Sequence, residues 1–485
     1  MTTRPTSLRL RLQARRITVL LFVLLALAIM TPTSAIGDGS INHSSNTGSG
    51  SGGGDADSVP GLTEMDVYDA LAIAFIVIGM AVSSVGGVGG GVIMVPAMVL
   101  IMSFDIKRAT PISNVAILGG AVANAWFNMH KRHPTADRPL IDAELALGMI
   151  PVVIGGTVLG ALINKLLPSY IVSLLFVVVL AASGARMTTK GIRLYKAESA
   201  KKKKEATGDA QASPAAYAQV STPQAPGDFV GDKLANGSGD VVQLHMRPAD
   251  DDDVDERRAE ILEQERHFAW RKHAAILVCY LGVVATSIGD ASVDCGGVAY
   301  WVILLVEIPW VAVFVVLTSH HLHKVYLRKA AVDYPYVEGD IQWTRKTVAL
   351  FPLGCALGGL VAGMFGVGGG IITGPIMIEM GIVPEVASST MSLMILYSSA
   401  AATAKYTVFN MIAWDWAVVL CAVTFVVTSV SQVVILGFVR RSGRQSIVVL
   451  CISAAVVLGT VLMTYQAIKI TIEDAGDAFS ADICS

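Results

Sequence analysis

The chain has 485 residues, 53% hydrophobic and 15% charged, with 36 basic and 38 acidic residues and a mean hydropathy of +0.60. A soluble domain carries about 25% charged residues, and this chain folded in water would expose too much apolar surface. The composition argues against a soluble enzyme, a coiled coil and, without a basic excess to hold phosphates, a nucleic-acid binder; it fits a polytopic membrane protein.

Arg9, Arg11, Arg15 and Arg16 precede an apolar run over 17–30, and Thr33-Ser34-Ala35 follows. This is the layout of a signal peptide over 1–35, with an uncleaved signal anchor as the alternative. Residues 36–65 are Gly/Ser-rich and read as an extracytosolic linker, with a sequon at Asn42-His43-Ser44. Apolar runs then predict helices over 66–86, 89–103, 111–129, 143–166, 168–186, 273–290, 298–319, 346–364, 367–380, 388–408, 414–437 and 446–467. A full span needs about 20 residues, so 89–103 and 367–380 are tilted short spans or half-helices.

If residue 60 is outside and every run crosses, the inner loops collect Lys131, Arg132, Arg138, Lys190, Arg193, Lys324, Arg328, Lys329, Arg345, Arg440 and Arg441. The outer loops then keep chiefly Lys107 and Arg108, which satisfies the positive-inside rule. This partitions the chain into membrane repeat 1 (66–186), a charged cytosolic loop (187–272), linking helices with a basic cytosolic loop (273–345), membrane repeat 2 (346–468) and a C-terminal tail (469–485), with both mature ends outside. The 187–272 loop holds Lys201 to Lys204, Asp250 to Asp253 and few large apolar residues, and reads as disordered. The six cysteines show no metal-ligand spacing, and those within apolar runs read as packing residues.

Self-similarity is the strongest signal. Gly87-Val88-Gly89-Gly90-Gly91 recurs as Gly366-Val367-Gly368-Gly369-Gly370, and at the same offset Pro96 matches Pro375 and Ser113 matches Ser392. Each copy reaches a hydroxyl cluster, Thr110-Pro111-Ile112-Ser113-Asn114 in one and Ser388-Ser389-Thr390-Met391-Ser392 in the other. Seven segments separate the copies, an odd number that turns the second upside down, as in many secondary transporters. A glycine run lets the backbone leave the helix, and a helix starting just after it offers unpaired N–H groups and a positive dipole end to an oxyanion. The alternative reading is close helix packing, for which small residues are the usual glue. Neither copy is a dinucleotide fingerprint, since Val92 stands at the third glycine position, and there is no Walker A motif.

At these residues the sequence resembles the TauE/SafE family, often called sulfite exporters, in its plant- and protist-type branch. The resemblance covers most of 66–196 and 273–467. In the first half it rests on Gly87 to Gly91, Pro96, Phe104-Asp105-Ile106-Lys107 before Ala109-Thr110, and Arg132-His133-Pro134-Thr135 running to Ile141-Asp142. In the rest it rests on Cys295, Tyr300-Trp301, Ile308-Pro309, Gly366 to Gly370, Gly374-Pro375, the serines at 388–392 and Gln432. It implies transport of sulfur-containing or organic anions such as sulfite, sulfonates or sulfoacetate. The 197–270 insertion lies outside the shared pattern, and Glu307 stands where plant-like relatives are expected to carry an uncharged amide.

The expected molecule is therefore an all-α, multi-pass protein of the plasma membrane or an endomembrane. It has about twelve membrane helices or half-helices in two inverted-topology repeats. Its expected function is secondary transport of a small anion by alternating access. The alternatives are an anion channel, and a non-transporting scaffold or receptor acting through 187–272. No catalytic constellation, cofactor, metal site or nucleic-acid partner is implied. The expected anion site comprises Gly87, Gly89, Gly90, Gly91, Thr110, Ser113 and Asn114 with Gly366, Gly368, Gly369, Gly370, Ser388, Ser389, Thr390 and Ser392. Glu307, an intramembrane carboxylate, is the ion-coupling candidate for a proton, with a structural helix contact as the alternative. Lys405 reads as snorkelling to the interface. Asp290 and Asp294 read as solvating an outer turn, His133 as inner-loop charge, and Trp310, Trp414 and Trp416 as an aromatic belt.

Overall fold

A computed structural model describes residues 67–87, 89–133, 135–206, 251–293, 297–337, 339–442 and 446–473. Among them are thirteen helices: α1 Val67–Gly86, α2 Gly91–Leu100, α3 Ile106–Met129, α4 Ala143–Leu166, α5 Ser169–Ala206, α6 Asp251–Arg266, α7 Trp270–Ala291, α8 Val298–Ala331, α9 Arg345–Phe365, α10 Gly370–Glu379, α11 Pro384–Val408, α12 Trp414–Ser442 and α13 Ser446–Glu473. The signal-peptide and linker segments, Asp294 and Cys295 lie outside the described residues, as does the tail beyond 473.

Polar caps set several starts. Asp105 accepts from the Lys107 N–H, Asp142 from those of Glu144 and Leu145, and Thr344 from that of Thr347, each supplying an acceptor the first turn lacks. This is why α3 begins at Ile106 rather than at Pro111. The two short elements, α2 and α10, have ten residues each, about 15 Å of helix, and are half-helices. Among the described residues, six helices are long and apolar enough to cross a membrane. Along α8, α12 and α13 large apolar side chains face outward, among them Leu305, Val316, Val426, Val433 and Ile472. Lipid, not water, accommodates such a surface, and the protein is a multi-pass integral membrane protein.

Contacts at the helix ends fix their directions. On one face, Phe104 before α3 stacks edge-on with Trp416 of α12, Lys165 at the end of α4 lies 5.0 Å from the Phe409 ring after α11, and Ser169 opening α5 bonds Asp105. On the other, Thr390 of α11 accepts from the N–H of Asp142 before α4, Lys190 of α5 pairs with Glu379 of α10, and Glu198 of α5 bonds Ser446 opening α13. So α3 starts where its repeat partner α11 ends, and α4 ends where its partner α12 starts. The two five-helix repeats, α1–α5 and α9–α13, are inverted. Lys131, Arg138, Lys190, Lys272, Lys329 and Arg345 lie at the second face, called the basic face below.

Small residues let the repeats interlock. A Cβ on Gly156 of α4 would lie 2.4 Å from Ala356 O, and one on Gly363 of α9 would lie 2.0 Å from Thr157 O. These glycines are helix-packing residues.

The expectation of disorder fails for 187–206, which continue α5, and for 251–266, which form α6. A stretch rich in both charges looks disordered in isolation, but α6 finds partners on the basic face. Glu265 pairs with Lys329 at 2.7 Å and accepts from the Tyr334 hydroxyl at 2.5 Å. Arg266 pairs with Asp137 at 2.6 Å. Burial, then the Glu265 carboxylate, holds the Tyr334 phenol above its ordinary range. Burial, then the Arg138 cation, depresses His133, against Asp340, Asp142 and Glu385, which raise it.

Candidate functional site

The two glycine runs break the helix in the same way. Gly87 and Gly366 sit at φ 64° and 65°, and Gly89 and Gly368 at 80° and 67°, all in the left-handed region open to glycine. The loops also meet reciprocally. A Cβ on Gly87 would lie 2.5 Å from Ser388 O, and one on Gly366 would lie 2.5 Å from Thr110 O. Between them, a Cβ on Gly91 would lie 2.2 Å from Gly366 O, and one on Gly89 would lie 3.3 Å from Val367 O. The two loops therefore cross backbone against backbone.

The half-helices that leave this crossing are uncapped. Gly90 and Gly369 occupy the N-cap positions of α2 and α10, and neither start has a side-chain cap hydrogen bond. Two buried N-terminal first turns, with their dipole ends, thus start beside the crossing from opposite sides. Thr110 is fully buried, and its Oγ1 has no hydrogen-bond partner, an unsatisfied donor at the crossing. Ser113 donates to Gly366 O at 2.6 Å. Its repeat partner Ser392 instead donates to Ser388 O within its own helix and accepts from Asn128 Nδ2 at 3.3 Å. The two halves thus share a backbone but differ in their hydroxyl contacts.

The expected site residues divide accordingly. Gly87, Gly89, Gly91, Gly366, Gly368, Thr110, Ser113 and Ser388 meet at the crossing, and Gly90, Gly369 and Gly370 start the half-helices there. Asn114 donates to Thr110 O in its own helix, and Thr390 bonds the basic-face loop instead. Ser389 and Ser392 are buried on α11. A Cβ on Gly90 would meet Met80 Sδ at 1.5 Å, and one on Gly369 would meet Gly358 O at 3.1 Å and Met394 Cε at 3.3 Å.

A family model described as Sulfite exporter TauE/SafE matches residues 71–225 and 261–459. The chain belongs to the TauE/SafE family. This TauE/SafE chain is similar to three Arabidopsis thaliana proteins named Sulfite exporter TauE/SafE family proteins 3, 2 and 1. Identity is 27% to protein 3, covering 79% of this chain and 75% of the relative. It is 27% to protein 2, covering 79% and 80%, and 26% to protein 1, covering 83% and 84%. No solved structure gives a significant match.

Two polar clusters of this TauE/SafE chain flank the crossing. Towards the basic face, Lys131 Nζ donates to Asn128 Oδ1 at 2.7 Å and to Gln432 Oε1 at 3.0 Å. Gln432 Nε2 donates to Asn124 Oδ1 at 2.7 Å and to Ser84 O, three residues before Gly87, at 3.3 Å. Lys131 and Asn128 escape the sequence reading because they fall at a helix end among loop charges. Towards the opposite face, Lys405 Nζ lies 2.6 Å from Asp290 Oδ2 and 2.8 Å from Glu307 Oε2, with all three side chains 3% exposed or less. The snorkelling reading of Lys405 and the solvating reading of Asp290 are therefore wrong: both are buried partners of Glu307. A pair of opposite charges inside two apolar runs was the available signal. Trp416, 1% exposed, is core rather than belt, whereas Trp414 faces outward. A cavity of about 1010 Å³ opens at the basic face between α4, α6, α7 and α8, lined by Glu144, Glu265, Lys272 and Lys329, away from the glycine crossing.

Proposed function

We propose that this protein is a secondary transporter that carries a small sulfur-containing oxyanion, such as sulfite or an organosulfonate, by alternating access at the crossing of the two glycine loops. The observation that carries this reading is the pair of buried, uncapped half-helix starts brought together by an inverted repeat. Unpaired N–H groups and dipole ends complement an anion with several acceptor oxygens. Membership of the TauE/SafE family supports the substrate class.

In this reading the basic face is cytosolic, by the positive-inside rule. Lys131 and its amide partners form the cytosolic approach to the Gly87 loop. At the crossing Gly87, Gly91, Thr110, Ser113, Gly366 and Gly368 are buried and Gly89 and Ser388 half-buried, and alternating access would expose this place to one face and then the other. Opening towards one side or the other would exchange the roles of the repeats, and the unequal contacts of Ser113 and Ser392 are what such an exchange would invert.

Reconstituted protein should take up at least one anion from a labelled panel of sulfite, sulfate, sulfonates and carboxylates. Flux should saturate and be accelerated by unlabelled substrate on the opposite side. A conducting pore would give flux without that acceleration, and a scaffold would give none; either result contradicts the proposal.

A further inference from the structure

The cluster on the opposite face is short of one positive charge. Lys405 supplies one ammonium, and Asp290 and Glu307 supply two carboxyl groups, at 1%, 1% and 3% side-chain exposure. The charged groups acting on Glu307 are Lys405 and Asp290, and those acting on Lys405 are Glu307 and Asp290. They come from α7, α8 and α11. With every group ionised the cluster would carry one uncompensated negative charge in a buried place, which is costly.

The two carboxyl groups are not equivalent. Asp290 accepts a hydrogen bond from the ammonium at 2.6 Å. Glu307 meets the same ammonium at 2.8 Å, yet neither of its oxygens is in hydrogen-bond geometry. The ammonium already fills the place between the carboxyl groups that a metal cation would need, whereas a proton needs no room. The cluster also sits on a mechanically relevant element: α11 carries Lys405 near one end and Ser388, which abuts Gly87, near the other.

We propose that Asp290, Lys405 and Glu307 form the proton-binding site of the transport cycle, with Glu307 as the carrier. Asp290 keeps the hydrogen bond from the Lys405 ammonium. A Glu307 oxygen takes a proton from water on one side, forming one O–H bond and a neutral cluster. That bond breaks, and the proton passes to water, when the cluster opens to the other side. Each cycle moves one proton and transfers no electrons. The inference rests on the transporter reading above.

Two measurements test it. In proteoliposomes with a pH gradient, the wild type should accumulate the labelled anion while a trapped pH dye reports co-moving protons. In Glu307→Gln both signals should be lost, while counterflow, which needs no net proton movement, continues. Asp290→Asn should also lose gradient-driven accumulation, because the remaining carboxylate and ammonium balance without a proton. Accumulation with proton movement in both variants would overturn the proposal. Infrared difference spectroscopy of the purified protein reads the proton without any substrate. A protonated-carboxyl band at neutral pH that vanishes in Glu307→Gln supports the site, and its absence from the wild type overturns it. If the wild type moves none of the anions, the transporter reading fails, and the infrared band still decides whether Glu307 holds a proton.

Discussion

Gly366→Val is expected to leave little folded protein in the membrane. Gly366 lies at φ 65°, and its Cβ would be 2.5 Å from the carbonyl oxygen and 3.1 Å from the Cα of Thr110. A left-handed residue with a Cβ costs about 1–2 kcal/mol, more when β-branched. Overpacking adds ~1–3 kcal/mol where the neighbour can yield, but here it is backbone inside a buried crossing. The total, about 2–5 kcal/mol and towards the upper end because the backbone cannot yield, reaches the edge of the range of exceptional single substitutions. The inverted repeat makes a second demand. Gly87→Val meets Ser388 O at the same 2.5 Å with φ 64°, so it should fail to a similar degree. The yield of monodisperse protein and its thermal unfolding in detergent measure both. Wild-type behaviour of either variant would contradict the reciprocal crossing.

Lys405→Met is the second large expectation. It strands Asp290 and Glu307 without their shared counter-charge in a site already holding unpartnered carboxyl oxygens. Removing one partner of a buried ion pair costs ~3–5 kcal/mol, whereas replacing the whole set by neutral groups is often close to neutral. Lys405→Met should therefore lower the unfolding temperature sharply. The triple variant Asp290→Asn, Glu307→Gln, Lys405→Met should recover most of that loss, a non-additivity expected for groups in direct contact. Equal destabilisation by the single and triple variants would show that the lysine stem, rather than its charge, holds the helices.

Much of the fold is legible in the apolar runs because lipid demands long uninterrupted spans. The two short elements are legible as a glycine run followed by a short apolar stretch, but the sequence leaves open whether they are tilted spans or half-helices. Helix ends beyond the membrane are not, since α5 to Ala206 and α6 are polar segments held by partners distant in sequence, such as Tyr334 and Lys329 for Glu265. At the site, the repeat names the glycines but not their partners. That Gly87 faces Ser388 while Gly366 faces Thr110 follows only once the repeats interlock. Glu307 stands out as a lone intramembrane acid, but its partners do not. Lys405 and Asp290 lie at helix ends, where a charge is ordinarily solvated, and only three-dimensional packing buries them.

Gly90 and Gly369 offer the most direct test of the central claim, that an anion is held at the starts of α2 and α10. Their φ values, −82° and −60°, suit any residue. An added Cβ would displace the flexible end of Met80 at one start and press lightly on Gly358 O and Met394 at the other. Alanine at Gly369 should therefore leave folding intact while placing a methyl group at the start of α10, whereas at Gly90 the Cβ falls 1.5 Å from Met80 Sδ in the core, an overpacking that costs ~1–3 kcal/mol. Counterflow of the transported anion in proteoliposomes is the measurement. The account predicts that each of Gly90→Ala and Gly369→Ala raises the half-saturating concentration by about tenfold or more, equivalent to ~1.4 kcal/mol of anion binding, with thermal unfolding unchanged in Gly369→Ala. Wild-type saturation in both variants would place the anion elsewhere and contradict it.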